Sequence, residues 1–117
     1  MGRLTTHVLD TFHGRPANAM VIELWRIEGG LPVHVKTVTT NADGRVDGPL
    51  LEGDDLTAGD YELLFHVREY FVLHSGSAGA SPFLSHVPVR FTVWDAAQHY
   101  HVPLLVTPWA YSTYRGS

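Results

Sequence analysis

The sequence predicts an all-β protein, a sandwich of about eight short strands carrying one short helix. Three observations point there. Hydrophobic residues recur with period two in several separate runs, turn-forming residues punctuate those runs, and only one segment is long, apolar and free of alternation. A strand sends successive side chains to opposite faces, so each alternating run has a core side and an outer side.

In chain order, strands are expected near 4–10, 19–27, 34–40, 45–48, 60–67, 87–94, 99–107 and 110–115. Met20, Ile22 and Leu24 alternate with Val21, Glu23 and Trp25. Tyr61, Leu63, Phe65 and Val67 alternate with Glu62, Leu64, His66 and Arg68. Val87, Val89, Phe91 and Val93 alternate with Pro88, Arg90, Thr92 and Trp94. The turns fall at His13-Gly14-Arg15-Pro16, Gly29-Gly30, Asn41-Ala42-Asp43-Gly44 and Ala58-Gly59-Asp60. The non-alternating segment, 68–74, is the expected helix of about two turns. The small residues of 75–82 follow it and are expected to form a loop.

At 117 residues the chain is expected to be one domain, 1–117. A formal net charge of −4 with eight scattered Lys and Arg residues gives neither the basic face that nucleic acid requires nor a patch for an anionic membrane. The absence of cysteine removes disulfides, thiolate nucleophiles and thiolate metal ligands. No apolar run reaches transmembrane length and none at the N-terminus reads as a leader, so a soluble, cytoplasmic protein is expected. Eight histidines are many for this length, and they are the first hint of chemistry.

One run departs from the half-buried pattern. Along 99–107, Tyr100, Val102, Leu104 and Val106 form a core face, but the opposite face carries His99, His101, Pro103, Leu105 and Thr107. That outer face is too apolar for open water, so a second subunit is expected to cover it. His99 and His101 project together from it, whereas His13, His34, His74 and His86 read as solvated and His66 as structural. Two uses of the pair stand side by side. His101 can serve in acid–base chemistry. Alternatively His99 and His101 bind zinc with a third ligand drawn from His7, Asp10 or Glu69, among which spacing does not choose. Asp54-Asp55 reads as a solvated turn. No Gly-x-Ser-x-Gly elbow, phosphate loop or dinucleotide fingerprint is present.

His7-Val8-Leu9-Asp10, Gly14-Arg15-Pro16-Ala17 and Met20-Val21-Ile22 resemble the N-terminal signature of the transthyretin-like family. Tyr100-His101-Val102-Pro103-Leu104-Leu105, Thr107-Pro108 and Tyr111-Ser112-Thr113 resemble its C-terminal one, and the Asn41-Ala42-Asp43-Gly44-Arg45 turn also fits. The likeness spans nearly the whole chain. Within the family the hormone carriers have lysine at the position of His7 and threonine at that of His101. Both histidines and the closing Tyr114-Arg115-Gly116-Ser117 instead resemble the 5-hydroxyisourate hydrolase branch. Val106, Thr107 and Ala110 depart from that branch's usual residues, away from the positions of interest.

The resemblance implies an eight-stranded prealbumin-like sandwich assembled as a homotetramer, with active sites in a channel at the dimer–dimer interface. It implies hydrolysis of 5-hydroxyisourate to 2-oxo-4-hydroxy-4-carboxy-5-ureidoimidazoline in urate degradation, without cofactor or metal. His7, Arg45, His101 and Ser117 are the implied catalytic group, and His7, Arg45 and Tyr114 the implied substrate contacts. Which histidine is the general base stays open. The alternative is a transthyretin-like carrier of small ligands without catalysis.

Overall fold

The computed structural model describes residues 1–79 and 83–116, the side chains of 77–79 excepted. Nine strands and one α-helix are present among them, in chain order β1 (Arg3–Asp10), β2 (Arg15–Pro16), β3 (Val21–Glu28), β4 (Leu31–Thr39), β5 (Leu51–Glu52), β6 (Gly59–His66), α1 (Val67–Gly79), β7 (His86–Val93), β8 (Tyr100–Val106) and β9 (Tyr111–Thr113). One sheet runs β2-β1-β8-β9 with β5 also paired to β1, and the other runs β4-β3-β6-β7. The core lies between them and is filled by the residues the alternation selects. Met20, Ile22, Leu24, Tyr61, Leu63, Phe65, Leu104 and Val106 are all fully buried.

The expected strand at 45–48 does not form. Gly44 and Gly48 both hold positive φ (74° and 79°), and between them Val46 drops into the core as a single anchor. The pairing expected there occurs instead at β5, where Leu51 sits opposite Leu4. Together with the two-residue β2, this gives nine strands rather than eight. Strand β4 starts at Leu31 rather than near 34, because an edge strand with mostly exposed residues has no alternation to mark its beginning. The expected 110–115 strand is cut to β9, after which Gly116 alone returns to bridge His101.

Helix α1 is longer than expected, reaching Gly79, although Gly76 breaks its regular geometry with φ 70° and ψ 173°. Residues 75–79, expected in a loop, are therefore within it, and residues 80–82 of that expected loop lie outside the described residues. The helix buries Val67, Tyr70 and Phe71 against the sandwich. The Tyr70 hydroxyl donates to Asp10 Oδ2 at 2.7 Å, and the backbone N–H groups of Phe12 and His13 donate to Asp10 Oδ1. Burial alone would push this carboxyl up, but those bonds and His13 outweigh it and hold Asp10 below the usual carboxylate value. The same burial and the carboxylate beside it push the Tyr70 phenol well up. This network fixes the far end of β1 to the helix.

Candidate functional site

Strands β1 and β8 lie parallel at the centre of their sheet, in a register that pairs Thr5 with His101, His7 with Pro103 and Leu9 with Leu105. Odd-numbered residues on both strands therefore share the outer face. Leu4, Thr6, Val8 and Asp10 point inward and are buried. His7 and His101 come from the two ends of the chain and are brought onto one surface by this register. Pro103 is buried and Leu105 half-buried even in the single chain, so the face is partly dry before anything covers it.

A concavity of about 410 Å³ opens there, lined by Arg3, Thr5, Arg45, His99 and His101. His101 is half-buried, and its Nδ1 lies 2.8 Å from Thr5 Oγ1. If Nδ1–H donates to this hydroxyl, the lone pair is left on Nε2, facing away from the strand partner. Burial pushes the His101 imidazole below its usual value, and the nearby charges of Arg45 and then His7 push it the same way. The ring is therefore held neutral, the form that accepts a proton.

The 41–45 turn supplies the rest. Asn41 N–H donates to Arg45 O, Gly44 N–H to Asn41 O, and the Asn41 side-chain oxygen accepts from both Asp43 and Arg45 N–H. Gly44 lies directly on β1, where Val8 N–H donates to Gly44 O at 2.8 Å. A Cβ at position 44 would come within 2.3 Å of Val8 O, and its φ of 74° also favours glycine. Clamped this way, the turn offers the Asp43 carbonyl to His7. The His7 Nε2–H donates to it at 2.9 Å, which leaves Nδ1 unprotonated in the neutral ring. Arg45 is exposed beside the concavity.

The C-terminal segment crosses the same place. Gly116 N–H donates to His101 O at 2.8 Å, and a Cβ on residue 116 would stand 2.5 Å from His101 Cδ2. Only glycine lets the backbone lie this close to the imidazole. Arg115 holds the approach by donating to Gln98 Oε1 and His99 O, with its guanidinium 4.4 Å from the Tyr100 ring centroid. Ser117 lies outside the described residues.

His7, Arg45 and His101 thus come together. Tyr114 does not join them within one chain: it is 59% exposed and lines a separate concavity of about 360 Å³ with Val89, Phe91, Trp94 and Tyr100. His99, just before β8, is exposed at the rim. Asp10 and Glu69 do not reach this place, since Asp10 is engaged inside the core and Glu69 lies in the first turn of α1, beside His86 of the opposite sheet. Thr5, Asn41, Gly44 and Gly116 are site residues that the sequence alone does not mark as such. For Thr5 the one signal is the parity it shares with His7.

A profile of the HIUase/Transthyretin family matches residues 4–116. The chain belongs to this family. Among family proteins, "5-hydroxyisourate hydrolase 2" of Rhizobium meliloti is 55% identical over 99% of this chain and 97% of its own length. The crystal structure of an (S)-allantoin synthase superposes with a TM-score of 0.91 at 46% identity, and the present chain covers 44% of that longer one. Sea bream transthyretin in complex with thyroxine has the same fold, with a TM-score of 0.87 and 25% identity over 97% of this chain and 94% of its own. The family fold accordingly appears here as two sheets with one helix. Among the described residues no helix is long and apolar enough to cross a membrane.

Proposed function

We propose that this chain is a 5-hydroxyisourate hydrolase, acting as a single domain that opens the substrate's six-membered ring at an amide bond. The observation that carries the reading is the half-buried His101, hydrogen-bonded to Thr5 and held below the usual histidine value by burial and the nearby Arg45 charge. Water attacks the ring carbonyl and its proton passes to His101 Nε2, while the carbonyl electrons move onto oxygen. The Arg45 guanidinium offsets that developing charge. The oxyanion then collapses, the ring C–N bond breaks, and the departing nitrogen takes the proton back from His101. His7, with Nε2–H committed to Asp43 O, orients the water through its other nitrogen. Ser117 and Tyr114 contact substrate once the channel is assembled.

The name of the 55%-identical relative supports this substrate. The carrier reading rests on a more distant likeness, at 25% identity. The half-apolar outer face of β8 supports burial of this surface between subunits in a homotetramer, and a cytoplasmic location fits the composition. No metal or cofactor is assigned to catalysis. The test generates 5-hydroxyisourate in place from urate and urate oxidase and follows its absorbance. Accelerated decay by the parent and not by His101→Asn is expected; decay at the spontaneous rate with parent protein would overturn the activity.

A further inference from the structure

The opposite sheet carries a second histidine cluster that the proposed reaction does not use. His66 at the end of β6 and His86 at the start of β7 are register partners, and their rings stack with centroids 4.1 Å apart and planes 14° apart. Glu69 in the first turn of α1 reaches both, with Oε2 2.8 Å from His86 Nε2 and 3.6 Å from His66 Nδ1. The helix start is fixed there because Arg68 N–H donates to Ser85 O at 3.0 Å. Each of the three side chains offers a donor atom, and the three lie within 4.8 Å of one another.

We propose that His66 Nδ1, Glu69 Oε2 and His86 Nε2 form a zinc-class divalent metal site joining β6, α1 and β7. Two imidazoles and one carboxylate, without thiolate, suit Zn²⁺, Co²⁺ or Ni²⁺ and suit the hard ions Ca²⁺ and Mg²⁺ poorly. The 3.6 Å separation is close to that of two ligands about 2.1 Å from a tetrahedral ion, whereas the 2.8 Å one has to open by about 0.6 Å and the exposed His86 ring has to tilt out of its stack on His66 so that both lone pairs meet the ion.

The arrangement behind His66 is what distinguishes this cluster from an ordinary surface ion pair. Its other nitrogen, Nε2, is engaged by the Glu23 carboxylate, and Trp25 Nε1–H donates to that same carboxylate at 2.9 Å. A carboxylate behind an imidazole fixes the ring's orientation and tautomer and makes its free nitrogen a better ligand. Glu69 and His86 are open to solvent, so a fourth position is accessible to water. The site lies across the sandwich from His101 and does not depend on the catalytic reading.

Dialysed protein titrated calorimetrically with ZnCl₂, and spectroscopically with CoCl₂, tests it. One saturable equivalent per protomer is expected at this site, resisting millimolar Ca²⁺ or Mg²⁺. His86→Ala and Glu69→Gln should each lose it, while His101→Asn should keep it, separating this site from binding by the opposite face. Glu23→Gln should weaken it by about 10- to 100-fold. Zinc should raise the melting temperature of parent protein and leave that of His86→Ala unchanged. Undiminished binding in both His86→Ala and Glu69→Gln, loss of the equivalent in His101→Asn alone, or no saturable binding by the parent would overturn the proposal.

Discussion

Each outer face of the sandwich brings a pair of histidines together, and the two faces treat their pairs in opposite ways. On the β1–β8 face, His101 has a neutral hydroxyl for a partner and a guanidinium nearby, and His7 donates to a backbone carbonyl. On the β6–β7 face, His66 and His86 are each engaged by a carboxylate. One residue type thus stands in two chemical settings according to its neighbours. A ring beside a cation in a half-buried place is held ready to accept a proton. A ring backed by a carboxylate is oriented and made a stronger donor of its lone pair.

The comparison is most sharply tested by removing one ring from each face. His101→Asn and His7→Asn are expected to reduce kcat/KM by about 10²-fold or more, the range for losing a positioned proton-transfer group. Both should keep the parent's mass in light scattering. Gly116→Ala should approach the same loss with the full catalytic set present, since its Cβ would displace the His101 ring and misplacement of about 1 Å can cost about 10²-fold. Full activity in Gly116→Ala would show that the terminal segment lies elsewhere during turnover.

The pH profile separates the faces next. In the proposed reaction His101 acts in its neutral form, and its folded value is lowered, so activity should be complete above the ordinary histidine value of about 6.5 and vanish as pH falls through the lower folded value. Arg45→Gln removes a charge that disfavours the protonated ring. Besides a lower rate, its acid midpoint should therefore move upward relative to the parent; an unmoved midpoint would take Arg45 out of contact with His101. Thr5→Val removes one hydrogen bond, about 1 kcal/mol, and should cost only several-fold in kcat. Smallest of all, His66→Asn and chelator treatment should leave turnover within a few-fold of the parent, because the second cluster lies across the sandwich.

Much of this comparison is legible in the sequence because side-chain parity is a local property. The odd residues of β8 announced a face that water alone does not explain, and the even ones are indeed buried. The elements that sequence missed are those whose pairing is decided by tertiary contact. The two-residue β2 and β5 have no periodicity to read, and Val46 forms an anchor rather than a strand because flanking glycines turn the chain. Gly116 gave no signal, since its necessity comes from an imidazole fifteen residues away in sequence. His86 read as solvated, and its partner Glu69 is seventeen residues distant across the helix. His13 also read as solvated, yet it is bonded to the buried Asp10. His99 and His101 have a zinc-like spacing in sequence, and the three-residue spacing of His66 and Glu69 across the β6–α1 junction is a comparable local signal.

The parallel pairing of β1 with β8 has a consequence for how the protein is made. Thr5 and His101 are 96 residues apart, yet they touch. During synthesis at roughly 5–20 residues per second, β1 leaves the ribosome several seconds before its partner exists. Through that interval the backbone groups that β8 will satisfy are open, and the earlier sheet of β3, β4 and β6 can already pair. The nascent chain therefore carries an unprotected strand edge, the kind of surface that templates association with other chains. The meeting of His7 with His101 on one face and the protection of that edge arrive in the same late event, when β8 docks alongside β1.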